Sequence, residues 1–453
     1  MLLHKSDTRK FRFVDFFYKS TLKHFESVKI YIFTAKSLNV MRRVVVTGIG
    51  AVTPIGNNIQ EYLEGLQKGI SGAATITRFD ASLFKTHFAC EVKNFNPEIA
   101  IEKKEVRRVD LYAQFGMVAA DEAMKMSGIT IDAINPDKAG IIFASGIGGI
   151  NTIEHEISEF ARGTGVPRYN PFLIPKMIAN IASGLLAIKY GFRGINYATV
   201  SACASANHAI INAFDYIRLG KADVMLSGGS EATTTATGVG GFNAMHAMST
   251  RNDDLKTASR PYDKDRDGFV LGEGGGALVI EEYEHAKKRG ANILCEIVGT
   301  GMTCDAYHMT APDPEGKGVI NCMKLALKEA KLGLSKVDYI NTHGTSTPLG
   351  DVAEIRAIVG VFGKNAKNIN ISSTKSMTGH LLGAAGAIEA VAGILGMLHD
   401  FVPPTINHFT DDPEIDPQLN LTFNAAQQRR LDVVLSNGFG FGGHNTTVIF
   451  KRI

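Results

Sequence analysis

One pattern occurs twice in this chain, and it constrains the fold more than any single residue does. Residues 44–46 read as a strand leading into a glycine-rich turn, and residues 294–298 lead into Gly299-Thr-Gly in the same way. Residues 139–144, with their loop to Gly149, are matched by residues 337–341 with the loop Thr342-His-Gly-Thr-Ser-Thr-Pro-Leu-Gly350. The stretch Asn196-Tyr-Ala-Thr-Val-Ser-Ala-Cys-Ala-Ser-Ala-Asn-His208 reads as a short buried strand, a sharp turn at Ser201-Ala202 and a helix starting near Cys203. Its counterpart is a strand at 370–373, the turn from Thr374 and a small-residue helix through Gly396. A duplicated βα unit predicts two α/β halves related by a pseudo-twofold axis, with corresponding loops meeting at the centre. The halves are expected at 41–290 and 291–453.

Other expected elements are helices at 59–68, 102–123, 151–161, 174–190, 282–290 and 315–332, and strands at 223–227 and 277–281. Residues 238–248 are glycine-rich and apolar around Phe242. No apolar run reaches the ~18 residues of a membrane-spanning helix. Net charge is +3, so nothing global points to nucleic acid or a membrane surface. Residues 1–40 stand apart, with eight basic side chains against three acidic ones. They read either as a transit-like segment or, preferably, as a dispensable stretch upstream of a natural start at Met41.

The five cysteines, at 90, 203, 295, 304 and 322, show no CxxC pair or metal-ligand spacing, which argues for free thiols in a reducing compartment. A cysteine at a helix start is favoured as thiolate by unpaired N–H groups and the helix dipole. A buried structural cysteine is the plain alternative for Cys203. His343 follows one predicted strand end and His380 lies in the turn after the next, both opposite the strand end that carries Cys203. A thiol with two imidazoles is a coherent set for nucleophilic catalysis. Two motifs fail their tests. Asp263-Lys-Asp-Arg-Asp-Gly268 opens like a calcium loop but has Gly274 where a bidentate Glu is needed. Gly438-x-Gly440-x-x-Gly443 lies too near the C-terminus to start a dinucleotide-binding unit.

From Met41 onward the chain resembles the β-ketoacyl-acyl carrier protein synthases of the elongating kind, closest to the type II enzymes of dissociated fatty acid synthesis. The resemblance rests on Val200-Ser-Ala-Cys-Ala-Ser-Ala206, Gly241-Phe-Asn-Ala-Met-His-Ala-Met-Ser-Thr-Arg251, Arg260-Pro-Tyr-Asp263, His343-Gly-Thr-Ser-Thr-Pro348, Lys375-Ser-Met-Thr-Gly-His380 and the glycines from Gly438 to Gly443. It implies a thiolase-like αβαβα fold, an acyltransferase, a homodimer in the cytoplasm, and no cofactor beyond the phosphopantetheine arm of acyl carrier protein. An organelle matrix is the alternative compartment if residues 1–40 are a transit peptide.

By the same resemblance, Cys203 accepts the acyl chain, and the backbone N–H groups of Cys203 and Phe441 form the oxyanion hole. His343 and His380 assist malonyl decarboxylation, with Lys375 and Glu389 supporting them. Thr345 and Thr347 hold the phosphopantetheine arm, while Ile147 and Phe242 line or gate the acyl pocket. Lys104, Arg107 and Arg108 would meet the acidic carrier protein; a solvated helix face is the competing reading of that charge run. His444 stands where the family commonly has Thr. A polyketide ketosynthase subunit is the main rival. A chain-length factor, the inactive partner of such a subunit, would lack the nucleophile. A biosynthetic thiolase would need a late second cysteine, and a type III synthase would carry Asn at 380.

Overall fold

The computed structural model describes residues 41–453, so the expectations for residues 1–40 lie outside the described residues. Ten strands form one sheet: β1 (Val44–Val52), β2 (Ala139–Ala144), β3 (Asn196–Tyr197), β4 (Val224–Glu231), β5 (Gly274–Glu282), β6 (Cys295–Cys304), β7 (Tyr339–Asn341), β8 (Asn370–Ser372), β9 (Val433–Gly440) and β10 (His444–Lys451). Their spatial order is β8-β7-β9-β10-β6-β1-β5-β4-β2-β3. Outward from the β1–β6 seam, each half runs first, fifth, fourth, second, third in its own chain order. That is the signature of a duplicated unit related by a twofold axis. The seam is short, pairing 44–46 antiparallel with 295–297.

Helices α1 (Ile59–Lys68), α2 (Leu111–Ser127), α3 (Ile150–Arg162), α4 (Ile181–Tyr190), α5 (Ser205–Arg218), α6 (Ala236–Ala244), α7 (Lys317–Ala330), α8 (Pro348–Phe362) and α9 (Ala385–Leu398) complete the layers. The centre is the pair α5 and α9, held between the half-sheets by Ile210, Ile211, Phe214, Ile388, Val391, Ile394 and Leu395. α2 and α4 cover the outside of the first half through Phe115, Ala119, Leu186 and Phe143. α7 and α8 cover the second through Met323, Ile355, Ile358 and Ile340. The α-β-α-β-α layering agrees with the expected fold class.

Several element bounds differ from expectation. β1 and β4 run on past Gly48 and Gly228, the glycines taken to end them, to Val52 and Glu231. These glycines pack against a helix or a neighbouring strand: a Cβ at Gly50 would lie 2.0 Å from the Ala119 carbonyl oxygen, and one at Gly228 2.1 Å from that of Gly276. Close packing here outweighs glycine's weak strand preference. The helix expected over 102–123 is two pieces, Lys103–Val106 and α2. Asp110 breaks it by capping α2: one carboxylate oxygen accepts the Tyr112 N–H, and the other accepts the N–H and hydroxyl of Thr152. The helix expected over 174–190 is likewise split at Ile178. β3, expected to be buried, is an edge strand with Asn196 exposed. Residues 236–244 form a helix that the glycine content concealed. Among the described residues no helix is long and apolar enough to cross a membrane.

Candidate active site

Cys203 lies just ahead of α5, whose first residue is Ser205, so it precedes the helix rather than starting it. Ala202 has φ +49°, and this left-handed kink swings Cys203 off the end of the preceding segment. Ser205 pins the kink: its hydroxyl donates to the Ala202 carbonyl at 2.6 Å and accepts the Ser201 N–H at 2.8 Å. The Ser201 hydroxyl also lies 2.6 Å from His208 Nδ1. Around the sulfur is an apolar cluster of Ala202, Val239, Phe242, Phe269, Leu271 and Leu382.

That burial overturns the expectation of a resting thiolate. Desolvation pushes the Cys203 thiol up to about 12, and the Glu231 charge pushes the same way. Lys375 and the N–H groups of Phe441 and Cys203 itself pull it down without prevailing. Cys203 and Phe441 both line the cavity that holds the sulfur, where oxyanion donors are expected. Only glycine fits the approach between the strands: a Cβ at Gly440 would lie 2.6 Å from the Ser201 carbonyl oxygen and 3.1 Å from the Cys203 nitrogen.

Both histidines join Cys203 in lining one cavity of about 700 Å³. Their rings meet edge to face with centroids 5.2 Å apart. His343 sits beside Phe439 and His380 beside Phe269, each at 5.5 Å. Burial, then the Lys375 charge, hold both imidazoles well below their usual range, so both are neutral at pH 7. Their Nδ1 atoms are buried without a partner. A proton on Nδ1 would be a stranded donor, which favours the tautomer protonated on Nε2.

Lys375 and Glu389 are each 1 % exposed and form a buried ion pair behind the histidines. Thr345 and Thr347 line the same cavity with hydroxyls 3.0 Å apart. Ile147 and Phe242 line it too, Phe242 edge-on to Phe269 at 5.3 Å. Lys104, Arg107 and Arg108 are exposed and do not line the cavity. Lys104 pairs with Glu102 and Arg108 with Glu105, both at 2.8 Å. His444 opens β10 outside the cavity lining, edge-on to His208 at 6.0 Å.

The sequence model described as the N-terminal domain of beta-ketoacyl synthase matches residues 41–286, and that of the C-terminal domain matches 294–409. This chain belongs to the β-ketoacyl synthase family. Within that family it is 49% identical over 413 residues to the 3-oxoacyl-[acyl-carrier-protein] synthase 2 of Synechocystis, covering 91% of this chain and 98% of the relative. A solved β-ketoacyl synthase from Burkholderia phymatum superposes with TM-score 0.84 at 35% identity, covering 91% and 100% of the two chains. A type II polyketide ketosynthase, solved with its acyl-carrier protein and bound to a hexaketide, gives TM-score 0.83 at 34% identity over 91% and 99%.

Two buried acids of this synthase escaped the sequence reading. Glu354 accepts the His343 and Gly344 N–H groups at 3.0 and 2.8 Å, which fixes the turn carrying His343; burial pushes it up to about 7. Glu231, at the end of β4, accepts from both walls of the cavity. Neither has a spacing or a motif around it that marks it. Glu231 is defined by donors from two turns far from it in sequence, and Glu354 by the turn just ahead of its own helix.

Proposed function

We propose that this chain catalyses the decarboxylative condensation of malonyl-acyl carrier protein with an acyl group held on Cys203, giving a 3-oxoacyl-acyl carrier protein two carbons longer. The observation that carries this is one cavity lined by the Cys203 thiol, by Phe441 and by the two neutral imidazoles of His343 and His380. The Cys203 sulfur attacks the acyl thioester. The tetrahedral oxyanion is held by the N–H groups of Cys203 and Phe441. The carrier's thiolate leaves and takes the proton that Cys203 gave up.

Malonyl thioester then loses CO2, and the electron pair of the broken C–C bond becomes an enolate. Its oxygen accepts from the Nε2–H of His343 and His380. Neutral rings suit this role, because each already carries the donated hydrogen and needs no titration. Burial, and after it the Lys375 charge, keep both rings from protonating. The enolate carbon attacks the acyl-Cys203 carbonyl, and collapse of that intermediate expels the Cys203 thiolate, which takes a proton from solvent.

Thr345 and Thr347 are placed to hydrogen-bond the phosphopantetheine arm, and Ile147 and Phe242 to bound the acyl chain. No cofactor beyond that arm is required. Lys104, Arg107 and Arg108 steer the acidic carrier protein. Fatty acid elongation is favoured over polyketide synthesis because the 47–49% identical relatives are 3-oxoacyl-[acyl-carrier-protein] synthases 2, whereas the polyketide ketosynthase stands at 34%. The halves are taken as 41–290 and 291–453. A homodimer would cover the free edge of β3, where Val200 and Ile188 are exposed at 62% and 81%. The free cysteines suit the cytoplasm.

The test is incubation with acyl- and malonyl-acyl carrier protein, with products read by mass. A 3-oxoacyl product extended by two carbons, with acyl mass on the Cys203 peptide, is expected. Acylation elsewhere, or none, overturns the reading; polyketide-length products favour the rival.

A further inference from the structure

Glu231 is fully buried, and among the described residues it has no ion-pair partner. Its carboxylate takes four hydrogen bonds instead. Oε1 accepts from the Ser145 hydroxyl at 3.0 Å and the Ile147 N–H at 3.2 Å. Oε2 accepts from the Gly146 N–H at 2.7 Å and the Gly383 N–H at 3.0 Å. The first three belong to the turn that presents Ile147 to the cavity. The last belongs to the turn that follows His380 and presents Leu382.

These two turns touch. A Cβ at Gly383 would lie 2.2 Å from the Gly146 nitrogen, and one at Gly146 2.7 Å from Glu231 Oε2. Leu382 has φ +47°, a conformation a branched side chain does not adopt unless the surroundings hold it. The Ile147 turn is rich in glycine; besides Glu231, it is tied by the Gly148 N–H donated to the Ser145 hydroxyl at 2.9 Å, the Ile150 N–H to the Gly148 carbonyl at 2.9 Å and the Gly149 N–H to the Met177 carbonyl at 3.0 Å. Burial raises Glu231 to about 7, and the Gly146, Ser145, Ile147 and Gly383 donors around it pull the other way.

Its position has a counterpart. β4 (VMLSGGSE) and β9 (VVLSNGFG) are both eight residues long and occupy equivalent places in the two halves. β9 ends at Gly440, against the nitrogen of Cys203, and β4 ends at Glu231, against the nitrogen of Gly383. Where one half leaves N–H groups open to a passing oxyanion, the other fills the equivalent place with the buried carboxyl group of Glu231.

We propose that Glu231 is a positioning residue that sets which acyl chains reach Cys203, by stapling the Ile147 turn to the Leu382 turn across the acyl end of the cavity. This rests on the condensing function proposed above. Chains that fit the closed seam load freely, and longer or branched chains load only as far as the seam opens.

Glu231→Gln tests it. An amide replaces one acceptor oxygen with a donor that faces N–H groups, so the seam loosens. Acylation of Cys203 is measured with carrier proteins bearing short, long and branched acyl chains. The long-to-short ratio of kcat/KM is expected to rise about tenfold. Ser145→Ala, which removes one of the four bonds, is the milder variant and should move the ratio the same way by severalfold; it serves if Glu231→Gln does not fold. Equal loss for all chain lengths, or an unchanged ratio in both variants, overturns the proposal. Short-chain condensation by the unaltered chain tests the condensing function separately, so the two can fail independently.

Discussion

The turn at Cys203 and the turn at Gly383 are one piece of backbone used twice, with opposite contents. Each has a left-handed residue, Ala202 at φ +49° and Leu382 at +47°. Two residues later comes the helix cap, Ala204 at φ −88°, ψ −3° and Ala384 at −88°, −13°. Each then enters a helix of the middle layer. In the first turn the residue after the kink is Cys203, in an apolar pocket. In the second it is Gly383, and the chemistry lies upstream, in His380 and the buried Lys375. The duplicated fold has divided the labour. One copy presents a nucleophile to open N–H groups, while the other fixes charge that never leaves. The buried Lys375 and Glu389 charges are tolerated beside the site because they neutralise each other.

That division can be broken from either side. The largest effect is expected at the first turn: Cys203→Ser should cut condensation by about three orders of magnitude or more, with acyl mass absent from that peptide. Retained activity would place the nucleophile elsewhere. At the second turn, Lys375→Ala strands Glu389 in the core and should cost about 3–5 kcal/mol in denaturant unfolding. The pair Lys375→Met with Glu389→Leu should recover most of that stability without recovering decarboxylation. If it recovers both, the pair's charge has no catalytic part.

His343→Ala and His380→Ala should each slow malonyl decarboxylation by about 10²–10³-fold while slowing acylation of Cys203 far less. The reverse order would move the histidines to the nucleophile's side of the division. Because burial pushes the Cys203 thiol up to about 12, its thiolate fraction grows with pH throughout the neutral range. Alkylation of Cys203 by a small haloacetamide should therefore rise about tenfold per pH unit between roughly pH 7 and 9. A plateau there would mean that the turn alone stabilises a thiolate. Away from both turns, reversing Lys104, Arg107 and Arg108 to Glu should lower kcat/KM for carrier-borne substrate severalfold at low salt, and much less at ~0.5 M salt. A carrier-free thioester should be unaffected.

The repeat was legible because it is written as strand, glycine turn and small-residue helix in both halves, a local code. The limits of the elements were less so. Gly48, Gly50 and Gly228 read as turns but lie inside strands, since what they accommodate is a carbonyl from a sequentially distant element. The site residues His343, His380, Thr345 and Thr347 could be named from motifs. The resting state of Cys203 could not, because a helix start argues for a thiolate and only the surrounding Phe242, Phe269 and Leu382 reveal the desolvation that outweighs it. Glu231 and Glu354 stayed invisible for a related reason: a carboxylate's role is set by the donors it meets, and these come from up to 152 residues away.

By itself the sequence determined the duplicated α/β architecture, the family and the set of reactive side chains, because periodicity, turn chemistry and motif spacing are properties of neighbours along the chain. Only the tertiary structure decided which of those side chains share a cavity, which charges are shielded and which thiol is held protonated. Burial and distance set those energies, and both arise only when the two halves close on each other.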